Sequence, residues 1–139
     1  LMKGLGDGYT GKLLVSRGEY VIDELASPIG FCHCRTCQKA HAAAAAPTAR
    51  VRRDNFRWLA GSELVKGYES SPGKVRHFCS QCGSHIIATR TGNDECVLRV
   101  ATLDADPEVR PVIHIWTSHD VPWLVSDNLP MVPEGLSPP

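Results

Sequence analysis

The spacing of Cys32, Cys34 and Cys37 in Phe31-Cys-His-Cys-Arg-Thr-Cys37 limits what this chain can fold into more than any other feature. Three thiols within six positions cannot each anchor a separate disulfide without strain. A bent loop, however, can aim all three at one ion about 2.3 Å away, and zinc is the expected ion for such soft donors. A second pair, Cys79 and Cys82 in Phe78-Cys-Ser-Gln-Cys-Gly83, repeats the Cys-x-x-Cys spacing and ends in glycine, as a metal knuckle does where its backbone turns tightly. The two stretches are 42 positions apart, counted from Cys37 to Cys79, so a shared or neighbouring site would join the first half of the fold to the second. Cys96, in Glu95-Cys-Val-Leu-Arg-Val100, reads as a small core residue.

A chain of 139 residues with 42% hydrophobic content is expected to fold as one domain, 1–139, around a single core. Its formal net charge of zero argues against partners recruited by electrostatics, such as nucleic acid or an anionic membrane. Arg50, Arg52, Arg53 and Arg57 are a local exception, read as a solvated strand face interrupted by Asp54. No run approaches the roughly 20 apolar residues of a membrane span, and the first residues lack the apolar core of a signal peptide. The expected compartment is the cytoplasm, where clustered cysteines serve as metal ligands or reactive thiols rather than as disulfides.

Residues 1–11 hold four glycines and no apolar period, which predicts a loose lead-in. Strands are expected at 12–16 and 20–25, with the metal loop at 32–37 after Ser27-Pro28. A helical turn should follow Cys37, and then a buried strand of small residues through the alanine run and Thr48–Val51. Further strands are expected at 55–59, 63–69, 74–78, 84–90, 95–102 and 112–116, separated by Gly61-Ser62, Ser70-Ser-Pro-Gly73 and Thr91-Gly-Asn-Asp94. The proline-rich tail, 121–139, should pack as an irregular strap through Trp123, Leu124 and Leu129. Short strands between turn signals, with no long 3.6-residue period, define a mainly β, mostly antiparallel fold.

Taken together, Cys32-His-Cys-Arg-Thr-Cys37, Lys39-Ala-His41, Phe56, Gly61, Tyr68-Glu-Ser-Ser-Pro-Gly-Lys74, Arg76-His-Phe-Cys-Ser-Gln-Cys-Gly-Ser84, Thr102-Leu-Asp104, Pro111-Val-Ile-His-Ile115, Trp123 and Leu129-Pro130 resemble the glutathione-dependent formaldehyde-activating enzyme (GFA) family, which also includes centromere protein V. The likeness covers about residues 25–135. It implies a β-tent of antiparallel sheets and hairpins around zinc-binding cysteine loops, in cytoplasmic carbon–sulfur lyases that join formaldehyde to glutathione. It also implies two zinc sites, a labile one on Cys32, Cys34 and Cys37, and a structural one on Cys79, Cys82 and an early Cys-x-Cys. Here the early pair is missing. Setting Gly11-Lys12 against the glycine that normally follows that pair puts Gly8 and Thr10 at the cysteine positions, so Cys79 and Cys82 read as half of a defunct site, as ligands recruited by the first cluster or, least of all because a strand rather than a helix follows Gly83, as a redox pair.

Three thiolates leave the fourth tetrahedral position free for substrate or water, as in a catalytic zinc site. A thiol entering it would ionise in the field of the ion and attack an aldehyde carbon. His33, His77, His85 and His114 lie in or near the family motifs, and Arg35, Lys39 and Arg76 flank the cysteine loops, where they could pair with glutathione carboxylates or be solvated. Two functions follow: a zinc-dependent carbon–sulfur lyase acting on a thiol and an aldehyde, or a non-catalytic zinc-stabilised binding module.

Overall fold

The computed structural model describes residues 8–136, which form ten strands and one α-helix. The strands are β1 (Tyr9–Lys12), β2 (Glu19–Ile22), β3 (Ile29–Cys32), β4 (Ala46–Arg52), β5 (Phe56–Ala60), β6 (Val65–Ser71), β7 (Lys74–Cys79), β8 (His85–Arg90), β9 (Glu95–Arg99) and β10 (Pro111–Ile115). The helix, α1, spans Arg35–His41. A three-stranded sheet has the order β1-β2-β5, and a seven-stranded sheet the order β10-β3-β4-β9-β8-β7-β6. All strand pairs are antiparallel except β10 with β3. No helix among the described residues is long and apolar enough to cross a membrane.

Tyr20, fully buried, organises the smaller sheet. Its ring lies so close over Gly11 that a Cβ there would fall 2.3–2.5 Å from ring atoms, stacks on Phe56 at 5.0 Å, and hydrogen-bonds through its hydroxyl to Thr102 at 2.6 Å. Around it Leu13, Ile22, Val51, Cys79, Ile86, Cys96 and Leu98 form the main core. Cys96 is thus a core residue, 2% exposed. The arginines of 50–57 lie on the surface, Arg50 paired with Glu95, Arg52 with Asp54 and Arg57 with Asp23, while Arg53 donates to the Arg90 carbonyl.

The alanine run resolves into two structures. Ala42, in the left-handed region at φ 51°, closes α1, while Ala46 and Ala49 are buried in β4. Small side chains there let the helix and its cysteines lie against the sheet.

Three expectations differ from the structure. The first strand runs over residues 9–12 rather than 12–16, so the expected lead-in is partly strand; residues 1–7 lie outside the described region. Leu13-Leu14-Val15 instead form a turn, closed by the Leu13 amide donating to Gly18 at 3.1 Å and the Gly18 amide to Val15 at 3.2 Å. β3 forms over Ile29–Cys32, a stretch with no expected strand. Its pairing with β10, His114 opposite Phe31 and Ile115 opposite Cys32, is a contact across more than 80 positions that no local pattern announces. The tail does strap β10, with the His114 amide donating to Pro130 and the Val132 amide to His114, but Trp123 is 69% exposed and does not anchor it.

Candidate metal centre

β3 delivers Cys32 at its last residue, and the chain then turns into α1 with Cys34 as the N-cap. The Cys34 sulfur accepts from the Cys37 amide at 3.3 Å, the role a serine or aspartate oxygen takes at other helix starts. One helical turn then carries Cys37 back beside the other two. The three sulfurs lie within 4.8 Å of one another, the only such group of three or more possible ligands among the described residues. A tetrahedral zinc with sulfur about 2.3 Å away needs edges of about 3.8 Å, so small rotamer adjustments bring the sulfurs to binding distance.

The surroundings suit a cluster of thiolates. Cys37 is 1% exposed, and two nitrogens of the buried Arg76 guanidinium donate to its sulfur at 3.8 and 3.9 Å. Hydrogen bonds from Cys32 and Cys34, then the charges of Arg99 and Arg76, hold Cys37 far below the ordinary thiol range. Cys32, hydrogen-bonded to Cys34 and Cys37 and buried, is pushed up in turn. Three thiolates around a divalent ion carry one net negative charge, and Arg76 and Arg99 supply positive charge where water cannot. The donor set and its counter-charges therefore fit zinc.

The loop is pinned from behind by a buried polar chain. His33, 1% exposed, meets His114 through Nε2 and Nδ1 at 2.7 Å, and His114 Nε2 meets Asp127 Oδ1 at 2.9 Å. On its other side, His33 Nδ1 lies 2.8 Å from Asp120 Oδ1, an ion-pair distance at which neither atom has an aligned hydrogen bond. Gln38 fixes the same corner, its Nε2 donating to the carbonyls of His33 at 2.7 Å and His119 at 2.9 Å. His33 and His114 thus hold the cysteine loop against β10 and the tail.

The remaining expected residues are dispersed. His77 pairs with Thr89 at 3.0 Å, Arg35 with Gln38 at 2.6 Å, and Lys39 is exposed. His85 stacks edge-on against His41 at 4.8 Å. Arg99, buried at the end of β9, was not singled out from the sequence, because an arginine in a strand reads as solvated until the covering helix is known.

Cys79 and Cys82 stand outside the three-cysteine group. The Gly83 amide donates to Cys79 at 2.9 Å with Gly83 at φ 80°, which gives the expected knuckle turn. Facing this knuckle, however, are not Gly8 and Thr10, which lie along β2 beside Ile22 and Val21. Leu13 shares the buried core with Cys79, Val15 and Cys82 pack on its edge, and the Leu14 amide donates to Ser84 Oγ at 2.9 Å. Leu13 and Val15 thus belong to the same apolar cluster as Cys79 and Cys82.

Burial lowers the affinity of His33, His41, His77 and His85 for protons, and His41 is brought down to about 4 by burial, Arg99 and His85. Each folded value lies below the unfolded value near 6.5, so the unfolded chain binds more protons in the acid range and stability falls as pH drops below about 6.5. Thermal melts at constant zinc are expected to show this decline between pH 6.5 and 4, and His41→Gln to make it shallower by about 1 kcal/mol after allowance for solvent screening.

A mainly β fold whose cysteine loop gathers three thiols beside buried arginines defines a protein able to hold a thiolate-ligated metal. Residues 11–119 match the family model for the glutathione-dependent formaldehyde-activating enzyme, and the chain belongs to that family. Among solved structures, the crystal structure of a Rhodobacter sphaeroides protein is similar in fold, with a TM-score of 0.61 and 23% sequence identity over 73% of this chain and 97% of that chain. No curated protein matches the sequence.

Proposed function

We propose that the chain is a zinc-dependent carbon–sulfur lyase of the GFA type, which adds a thiol such as glutathione to formaldehyde or handles a related thiol adduct. Cys32, Cys34 and Cys37 hold the metal. The observation that carries this reading is the approach of their three sulfurs to within 4.8 Å beside the buried Arg76 guanidinium. When bound, zinc would supply the positive field that keeps a substrate sulfhydryl ionised at neutral pH. Three protein ligands rather than four is the catalytic pattern. In the addition, the substrate sulfur forms a bond to the aldehyde carbon, the carbonyl π pair moves onto oxygen, and that oxygen takes up a proton to give the hydroxymethyl thioether. Arg76 and Arg99 offset the charge of the cluster, and the His33–His114 pair keeps the loop in place while substrate enters. Cys79 and Cys82 are read as the packed remnant of a second site.

An adduct-formation assay with glutathione and formaldehyde tests this reading. The wild type is expected to exceed the spontaneous rate by at least about tenfold, Cys34→Ser to fall to the spontaneous rate, and Cys96→Ser to keep activity. A second reading, a non-catalytic binding module, draws on the apolar side chains that the tail leaves exposed, Trp123 at 69% and Val125 at 88%. Fully zinc-loaded wild type that neither binds glutathione nor exceeds the spontaneous rate would favour it.

A further inference from the structure

Outside the metal centre the chain carries three thiols, Cys79, Cys82 and Cys96, all of them free. Cys79 and Cys96 are buried, at 1% and 2% exposure, whereas Cys82 is partly open to solvent. Around it Ser80, Gln81 and Gly83 are exposed, and a Cβ on Gly83 would meet nothing within 4 Å, so the outer side of the knuckle is clear. The carbon–sulfur chemistry proposed above employs neither Cys79 nor Cys82.

The knuckle directs donors at both sulfurs. As a thiol, Cys82 donates to Ser84 Oγ at 3.3 Å. That oxygen already accepts the Leu14 amide at 2.9 Å, which leaves the Ser84 hydrogen free to turn toward a Cys82 thiolate. Backbone hydrogen bonds from Ser84 and Val15 reach the same sulfur, and the Cys79 side chain adds to them. Burial pushes the Cys82 thiol up, but these bonds outweigh it and bring it down to about 7. The Cys79 sulfur in turn accepts the Gln81 amide at 3.4 Å. A thioredoxin-type pair takes such stabilisation from a helix N-terminus; here the strand β8 follows, and amide and hydroxyl donors fill that role. The turn itself is closed by the Gly83 amide donating to the Cys79 carbonyl at 2.9 Å. Residues three apart in a tight turn have Cα atoms within about 7 Å, the span that a disulfide bridges.

We propose that Cys82 and Cys79 form a dithiol–disulfide exchange site for small disulfides, with the accessible Cys82 as the attacking thiolate and the buried Cys79 as the resolving thiol. Cys82 sulfur bonds to one sulfur of the small disulfide, the S–S bond of that molecule breaks, and its other half leaves as a thiolate. Cys79 then gives up its proton to the departed thiolate and bonds to Cys82 sulfur, and the second half leaves and takes a proton from water. The pair has lost two electrons, and the small disulfide has gained them to become two thiols. This chemistry needs no ion and stands apart from the three-cysteine centre.

The test treats the zinc-loaded full chain with 2-hydroxyethyl disulfide, alkylates the remaining thiols and maps them by peptide mass. Tryptic cleavage places Cys79 and Cys82 together on 77–90, apart from Cys96 and from the cysteines of the centre, so the result is read independently of the metal. Peptide 77–90 is expected to lose two hydrogens and to regain them with dithiothreitol, while Cys96 stays open to alkylation once the chain is denatured. Before oxidation, Cys82 is expected to be alkylated at pH 7 at least about fivefold faster than Cys96 in the folded chain. Ser84→Ala is expected to move the midpoint of Cys82 alkylation to higher pH, and an unmoved midpoint would overturn the donor set on which the pair rests. In the wild type, a Cys82 no more reactive than Cys96 would overturn the proposal. So would a mixed disulfide that persists on Cys82, or oxidation confined to Cys32, Cys34 and Cys37.

Discussion

Cys37→Ser is expected to empty the chain of zinc and to destabilise it more than any other single substitution at the centre. The side chain is 1% exposed, and its sulfur is the acceptor for two guanidinium nitrogens of Arg76. A serine hydroxyl stays protonated at neutral pH, so both the metal ligand and the negative charge are lost. Arg76 would then be a buried cation left with only the Ser70 hydroxyl to bond, and a buried cation that loses its anionic partner costs about 3–5 kcal/mol. Loss of the metal adds to this, since an ion that binds the folded chain and not the unfolded one stabilises it by mass action. Cys96→Ser provides the contrast. Cys96 is 2% exposed in the separate core around Tyr20, and burial pushes its thiol up to about 11, so it is held as a neutral apolar group. Its replacement should cost only about 1–3 kcal/mol for a poorly solvated hydroxyl and leave zinc content unchanged. Elemental analysis with denaturant melts on both variants checks the pair, and a Cys37→Ser protein that retains its zinc would contradict the assignment.

The second large effect is a gain. Leu13→Cys with Val15→Cys is expected to raise zinc content from one ion per chain to two, because Leu13 and Val15 share one apolar cluster with Cys79 and Cys82 and two new thiols there would complete a set of four. The wild-type pair supplies two thiols, and Leu13, 3% exposed, lies in the core cluster with Cys79. Four thiolates would instead form a closed tetrahedral site, and binding free energy would add directly to folding free energy. Mass spectrometry under native conditions would show the second ion. Its absence, or its appearance with Gly8→Cys and Thr10→Cys instead, would show that the 13–15 turn does not occupy the vacated half-site.

That turn also shows where sequence reading reached its limit. Leu13-Leu14-Val15 has the composition of a strand, and only the approach of the 79–84 loop, about 65 residues later, explains why it turns and plugs a gap. The three-cysteine centre was legible because its geometry is local: six positions, a helix N-cap and one turn of α1 bring the sulfurs together. The alanine stretch was readable for a similar reason, since Pro47 and the β-branched residues after it leave room for only a short helix before a strand. β3 was missed because Ile29-Gly30-Phe31 is short and its parallel partner β10 lies in the last third of the chain. Arg99 and the paired histidines were hidden for a related reason. Their burial depends on a helix crossing a sheet face, and nothing in the local pattern of Val97-Leu98-Arg99 tells a buried arginine from a solvated one. Trp123 errs in the opposite direction, a large aromatic that the tail leaves 69% exposed.

The most direct test of the central claim is a count of sulfur ligands by X-ray absorption at the zinc edge, on the full chain with and without added thiol. The account predicts three sulfurs at about 2.3 Å together with one lighter ligand in the resting protein, rising to four sulfurs when 2-mercaptoethanesulfonate is present. Four sulfurs without added thiol, or three that do not change when it is added, would contradict it.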